Sequence, residues 1–483
     1  MKKGFVLSII ICIFPVFLGI SGCTRELAEG TDQVPQASVS ESSPLSENLT
    51  AENTEEPEDG GSVATPSGEN NADIDEISEV VETSGLSDET AQNEEDGSDE
   101  SEENNAEEDD TTSEDSSEPV TEDVDGNDDS RITDIPHELN YSDDVDTIIA
   151  SMTLHEKICQ MIIVTPSVLT HSTKVTSADA CYLALQNYPV GGMILDKSNI
   201  VNADQLTGMI SGAQSYMTIP MIVTLDEEGG RVTRLMETVG TTPVGPMYYY
   251  HDMGTEVAAF NAMTIGNDIR RFGFNMDLAP VADVWSNPNN TVIGDRAYST
   301  DFDEAAELVS SAVSGFHMSG VACCIKHFPG HGDTSADSHY GSVYVYKTLD
   351  EMRADEFKPF ISGINAGADA VMIGHLIVAD QGNIPALFSY PLLTGVLRNE
   401  LGFNGVIISD SLQMKAMTDH YGAGEIPVMA VAAGCDIILM PTDLEVTVSS
   451  LEAAVENGVI SEERINESVR RILILKKKYI SAG

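Results

Sequence analysis

Val321-Ala322-Cys323-Cys324-Ile325-Lys326-His327-Phe328-Pro329-Gly330-His331-Gly332-Asp333-Thr334, with Asp337-Ser338-His339 just beyond, is the stretch on which the reading of this chain turns. Its first five residues are an apolar run of strand length, and the Pro/Gly/His-rich segment behind them reads as a loop. Lys326, His327, His331, Asp333, Asp337 and His339 crowd titratable groups onto that strand's carboxyl end. Parallel α/β folds place their chemistry there. A polar surface loop would explain one such histidine, but not this density beside a buried strand.

Working outward, similar apolar runs recur near Cys159–Val164, Gly191–Asp196, Met221–Asp226, Phe274–Val281, Ala370–His375, Gly405–Asp410 and Cys435–Pro441. Amphipathic helical patterns lie between or after them, at Ala203–Ser215, Val257–Arg271, Glu304–Met318, Leu349–Ala366, Pro391–Glu400 and Ser461–Tyr479. Eight strands with helical crossovers predict an α/β fold of the closed (β/α)8, TIM-type barrel class. A doubly wound open sheet is the competitor, yet no G-x-G-x-x-G or P-loop pattern opens this domain.

Polar residues fall at the predicted strand ends. Asp226 closes the third run, with Arg234 shortly after it, and Arg296 follows the fourth. Lys326 and His327 end the fifth, His375 the sixth and Asp410 the seventh. In a barrel these groups converge on one rim. Taken singly, each would read as a surface ion pair or a helix cap.

The rest of the chain is unlike the barrel. The sequence has 483 residues and a formal net charge of -56, but the charge is concentrated. Thr24 to Ser130 carries 37 Asp and Glu against one basic residue, Arg25, and no Phe, Tyr or Trp. Such a segment cannot bury enough apolar surface to offset its ordering entropy, so it is expected to be disordered. The sign of the charge argues against nucleic-acid binding. Before it, Lys2 and Lys3 precede an apolar run from Phe5 to Leu18, too short to span a bilayer and patterned like an export signal. Ile20-Ser21-Gly22-Cys23 resembles the bacterial lipobox, in which the Cys is lipidated. The expected organisation is a lipoprotein signal peptide over 1–22, a disordered acidic linker over 23–140 and the barrel over 141–483. Cys23 would tether the protein to the extracytoplasmic face of the cell membrane. Cys159, Cys181, Cys323, Cys324 and Cys435 read as small buried apolar residues, not as a disulfide framework.

Asp410 ends a mostly apolar strand, where a carboxylate must be paired or catalytic. His339 stands two residues from Asp337, which can orient its imidazole. One carboxylate plus one His–Asp pair suits a two-step displacement in which Asp410 attacks and His339 moves the proton. Asp226, Arg234, Arg296, Lys326 and His327 offer donors and an acceptor to a hydroxyl-rich ligand.

The run Lys326 to Asp333 with Asp337-Ser338-His339 resembles the signature of the β-N-acetylhexosaminidases among family 3 glycoside hydrolases. Asp226-Glu227-Glu228-Gly229-Gly230-Arg231-Val232, Ala279-Pro280-Val281-Ala282-Asp283-Val284 and Ile293-Gly294-Asp295-Arg296 resemble that family's other blocks, in order. The resemblance runs from about Asp143 to Ile480. It implies that Asp410 is the nucleophile, that His339 is the acid/base held by Asp337, and that Asp226, Arg234, Arg296, Lys326 and His327 bind the sugar in subsite −1. The implied substrate is a terminal β-linked N-acetylglucosamine of cell-wall or chitin-type glycans. No cofactor and no metal are implied. Some relatives carry a second α/β domain, and the single-domain type is expected here.

Three rivals remain at this point. A metal-dependent hydrolase would use ligand types among His327, His331, Asp333, Asp337 and His339, but Lys326 and the arginines oppose a cation. A phosphorylase would replace water with phosphate. A sugar-binding surface lipoprotein would do no chemistry, although Asp410, Asp337 and His339 are all present.

Overall fold

A barrel strand covered on both faces needs apolar side chains at nearly every position, not at alternate ones. The runs marked in the sequence meet that condition. The strands are β1 (Ile162–Val164), β2 (Gly192–Ile194), β3 (Ile222–Thr224), β4 (Met276–Asp277), β5 (Ala322–Phe328), β6 (Val343–Val345), β7 (Ala370–Ile373), β8 (Leu376–Val378), β9 (Val406–Ser409) and β10 (Ile438–Leu439). All but β6 are buried throughout. The computed structural model describes residues 139–335, 337 and 341–480. The expected signal peptide, the linker up to 138, Cys23 and His339 lie outside the described residues.

Pairing is parallel, in two arcs ordered β10-β1-β2-β3 and β4-β5-β7-β9. The arcs join at both seams. The Asn275 and Leu278 amides donate to the Val223 and Leu225 carbonyls at 3.1 and 3.0 Å, linking β3 to β4. The Ser409 amide donates to the Ile437 carbonyl at 3.0 Å beside a parallel Ile408–Ile437 bridge, linking β9 to β10. The eight strands named by the sequence therefore close a parallel (β/α)8 barrel. The β6–β8 pair is an addition, formed by segments that follow β5 and β7.

The Ala203–Ser215 helix has the expected bounds, with Asn202 Oδ1 accepting from the Gln205 amide at its start. Leu349–Ala366 does not form one helix. It breaks into Leu349–Ala354 and Phe357–Asn365, because Pro359 has no amide and is tolerated only in a helix's first turn. Cys159 and Gln160, expected in the first strand, belong instead to the helix Leu154–Gln160, which Thr153 caps. The five cysteines of the barrel are free and buried.

The bottom of the barrel is held by two buried carboxylates at strand starts. Asp436, just before β10, receives Arg398, Arg464, Arg471 and Ser468. Asp369, just before β7, receives His317, Lys478 and Tyr479. Together they fasten the last helix, Glu462–Tyr479, to the barrel.

Lys476 of that helix is fully buried, with its ammonium 2.6 Å from Gln160 Oε1 and no ion-paired carboxylate among the described residues. Burial pushes its pKa down to about 7 from 10.5. The folded state thus holds fewer protons than the unfolded one between those values, and wild-type stability rises with pH across that window. Lys476→Met removes a penalty of roughly 3–5 kcal/mol at pH 7, offset by about 1–3 kcal/mol for the abandoned Gln160 acceptor. The expected result is a net gain of about 2 kcal/mol at pH 7 that turns into a net loss of about 1–3 kcal/mol towards pH 10.5, where only the abandoned acceptor is left. Urea titrations at several pH values check it; a pH-independent difference would contradict the burial argument.

Candidate active site

Asp226 follows β3 by two residues, and the chain must then reverse. Gly229 and Gly230 make the turn with φ of +89° and +58°. A Cβ on Gly230 would also sit 2.8 Å from Pro246. The turn gives three successive carboxylates different tasks. Glu227 is buried and accepts from the Arg234 and Leu235 amides at 2.5 and 3.0 Å, pinning the returning segment. Asp226 and Glu228 line a cavity of about 590 Å³.

That cavity opens at the carboxyl ends of the barrel strands. Arg234, Arg296, Lys326, His327, His331 and Asp410 line it as well. Six of the residues singled out from sequence, Asp226, Arg234, Arg296, Lys326, His327 and Asp410, therefore meet in one place. Asp337 is half-buried and is not among the lining residues. A larger cavity, about 790 Å³, lies at the opposite end of the barrel, and Arg270 is the sole charged residue among those that line it. It lacks the convergent charges that chemistry needs.

A continuous ion chain crosses the floor of the upper cavity. Lys326 Nζ lies 2.8 Å from Asp226 Oδ1 and 2.6 Å from Glu228 Oε1. Arg234 Nη2 reaches Asp226 Oδ2 at 3.0 Å. Arg296 grips Glu228 with Nε and Nη2, both at 2.8 Å. Burial works against the charged form of both carboxyls. Arg296 and Lys326 outweigh it at Glu228, Lys326 and Arg234 at Asp226, and both carboxyls are held below the usual range. Burial likewise opposes the Lys326 charge, and Asp226 and Glu228 outweigh it to raise the ammonium's pKa. Lys326 keeps a third N–H beyond its two carboxylate partners.

His327 is fixed from behind. Its Nδ1 lies 2.6 Å from Asp283 Oδ2, and the same carboxylate accepts the His327 and His331 amides at 3.2 and 2.7 Å. Asp283 is buried, and although burial opposes its charge, His327 outweighs that and holds its pKa low. With Nδ1 committed, Nε2 is the ring nitrogen left to meet a ligand. Asn290 holds the loop beyond, donating to the His331 and Gly332 carbonyls at 2.8 and 3.1 Å. A Cβ at Gly332 would sit 1.6 Å from the Val284 carbonyl oxygen, so only glycine lets these loops meet.

Asp410 directly follows β9. Its amide donates to the Ile373 carbonyl at 3.0 Å, and its Oδ1 accepts the Ser411 amide at 2.7 Å. His375 Nε2 meets the Ser411 carbonyl at 2.8 Å. Among the described residues no hydrogen bond reaches Asp410 Oδ2. A carboxylate with one oxygen anchored and the other turned out of the network has the form of a nucleophile.

Sequence reasoning did not single out Glu228 or Asp283 for the site, and it gave His331 a place in the titratable cluster but no role in sugar binding. Glu228 stood in a quoted acidic run, and Asp283 in an apolar one.

A closed parallel barrel with convergent acids and bases on its carboxyl rim has the layout in which barrel enzymes place their sites. Residues 153–475 match the family described as "Glycosyl hydrolase family 3 N terminal domain", and the chain belongs to it. It is 33% identical over 324 residues to "Beta-hexosaminidase A" of Pseudoalteromonas piscicida, covering 61% of this chain and 54% of that relative. It is 35% identical over 264 residues to "Beta-hexosaminidase" of Stenotrophomonas maltophilia (strain K279a), covering 53% of this chain and 77% of that protein. A solved family 3 β-N-acetylglucosaminidase from Paenibacillus sp. str. FPU-7 superposes with a TM-score of 0.64 at 36% identity, over 69% of this chain and 64% of that one. The chain thus spans little more than half of the first relative's length.

Proposed function

We propose that this protein is a retaining, exo-acting β-N-acetylhexosaminidase that removes terminal β-linked N-acetylglucosamine from cell-wall or chitin-type glycans. The observation that carries the reading is Asp410, with one oxygen anchored and one outside the network, beside the Arg234–Asp226–Lys326–Glu228–Arg296 chain in a single cavity. Relatives named as β-hexosaminidases support the substrate class.

In the first step Asp410 Oδ2 bonds to the anomeric carbon while the bond to the leaving oxygen breaks, and His339 gives that oxygen its proton. In the second, His339 takes a proton from water, the water oxygen bonds to the same carbon, and Asp410 leaves as a carboxylate. Two inversions give net retention. A histidine in place of the usual second carboxylate avoids like-charge repulsion with Asp410, and Asp337 orients its ring. Asp226, Arg234, Arg296, Lys326 and His327 hold the sugar in subsite −1. Water is the acceptor, so turnover is expected to be independent of phosphate. Comparing aryl β-N-acetylglucosaminide with aryl β-glucoside, with and without phosphate, tests the reading. Preference for the glucoside, or a sugar 1-phosphate product, would overturn it.

Outside the barrel, residues 1–22 act as a lipoprotein signal, Cys23 carries the lipid and residues 23–140 form an acidic tether. The enzyme then works on the extracytoplasmic face of the membrane. Cys23→Ala is expected to move it from the membrane fraction to the medium.

Asp283 is assigned a positioning role through His327. Asp283→Asn keeps one acceptor oxygen but sets an NH₂ where the other carboxylate oxygen met its N–H partners, and kcat/KM is expected to fall about 10–100-fold. His327→Ala should lower it comparably, and the double variant should be little worse than either alone. Additive losses would show that Asp283 acts elsewhere.

A further inference from the structure

Tyr344 on β6 and Tyr346 just past its end alternate with the buried Val343 and Val345, so both project from one face of this extended segment. They are 43% and 81% exposed. Their rings are nearly parallel, with centroids 6.1 Å apart and 16° between planes. β6 is paired in register with β8, Val343 opposite Leu376, and Leu376 follows His375, the residue bonded to the Ser411 carbonyl. The tyrosine strand is therefore joined to the wall of the Asp410 cavity.

A second cavity, about 260 Å³, lies beside the pair. Asp333, Thr334 and Ser335 line one side of it, and Tyr344, Tyr346 and Lys347 another. The segment His331–Ser335 thus borders both cavities, with His331 lining the first and Asp333–Ser335 the second. Lys347 is placed by Glu356 and lies 3.8 Å from Asp333. Two exposed parallel aromatic faces beside charged and hydroxyl-bearing groups are what a pyranose ring requires. Its face of C–H bonds rests on the negative π-face, and its rim of hydroxyls meets polar groups.

We propose that Tyr344 and Tyr346 form a stacking platform for the leaving-group side of the glycan, taking the sugar unit or units that follow the one bound over Asp410. Asp333 and Lys347 bond the hydroxyls at the platform's edge. The inference rests on the reading of the upper cavity as the site for the terminal N-acetylglucosamine. It adds that this enzyme grips a chain of β-linked N-acetyl sugars and not just their last unit.

The test is a titration of the full-length Asp410→Asn protein with N-acetylglucosamine and with triacetylchitotriose. Adding Tyr344→Ala and Tyr346→Ala together is expected to weaken trisaccharide binding about tenfold, with monosaccharide affinity changed less than twofold. Tyr344→Phe with Tyr346→Phe keeps the rings and should restore most of the loss. Equal weakening of both sugars, or no weakening of either, would overturn the platform. Wild-type turnover by Asp410→Asn would instead overturn the nucleophile assignment, and the KM for the trisaccharide set against that for aryl β-N-acetylglucosaminide would then still decide the platform. Failure of the trisaccharide to bind at all would overturn both.

Discussion

Asp410→Asn is expected to lower turnover of aryl β-N-acetylglucosaminide by about 10⁴-fold or more while leaving the fold and sugar binding in place. The substitution is close to isosteric. An asparagine Oδ1 can still accept the Ser411 amide, and the backbone bond from residue 410 to the Ile373 carbonyl is untouched. What is lost is the charge on the oxygen proposed to form the covalent bond. Binding should survive because Asp226, Arg234, Lys326 and Arg296 form an ion chain in which Asp410 takes no part. The measurement is kcat on the aryl glycoside with N-acetylglucosamine affinity by calorimetry, plus mass spectrometry after treatment with a fluorinated sugar analogue. A loss under about 100-fold, or a label on any residue but Asp410, would remove the covalent mechanism.

The same residue shows why much of the site was legible in the sequence. Asp410 stands immediately after Val406–Ser409, and a carboxylate at the end of an apolar run must be either paired or used. Lys326 and His327 end a buried run in the same way, and barrel closure then brings them together with Asp226, Arg234 and Arg296. The Asp283–His327 pair was invisible for a different reason: its members are 44 residues apart, Asp283 beyond the end of β4 and His327 on β5. The lone carboxylate in Ala279-Pro280-Val281-Ala282-Asp283-Val284 was a signal, because an acid in so apolar a run needs a buried partner. Glu227 and Glu228 could not be told apart before the Gly229–Gly230 turn was known, since that turn decides which of them meets the cavity. Asp369 and Asp436 sit at strand starts, the end where barrel carboxylates serve stability, and only the packing of the last helix shows what they hold. The helix break before Pro359 was legible in principle, as proline cannot sit inside Leu349–Ala366.

Glu228→Ala is expected to be the most damaging substitution to both stability and activity apart from one at Asp410. The Glu228 side chain is 4% exposed and accepts from Lys326, which is 2% exposed, and from both donors of the Arg296 fork. Its removal leaves two cations in a desolvated floor with only Asp226 to neutralise Lys326. Breaking such a buried pair costs roughly 3–5 kcal/mol, a fall in Tm of about 4–7 °C for a domain of this size. Burial alone would raise the Glu228 pKa, but Arg296 and Lys326 outweigh it and hold it well below the ordinary 4.5. A carboxyl depressed in the folded state contributes stability that is fully present above its unfolded value and is lost as pH falls through the folded one. The gap between wild type and variant should therefore be constant from pH 8 to about 5 and narrow below about 4.5. Sugar binding should weaken too, because Arg296 loses the partner that aims it and Lys326 swings wholly to Asp226. Glu228→Gln covers the case in which the alanine variant does not fold: it keeps the shape, loses the charge and should show a smaller stability loss with the same pH trend. Melting within 1 kcal/mol of wild type, or a gap that widens on acidification, would mean that this carboxylate does not hold the floor of the site together.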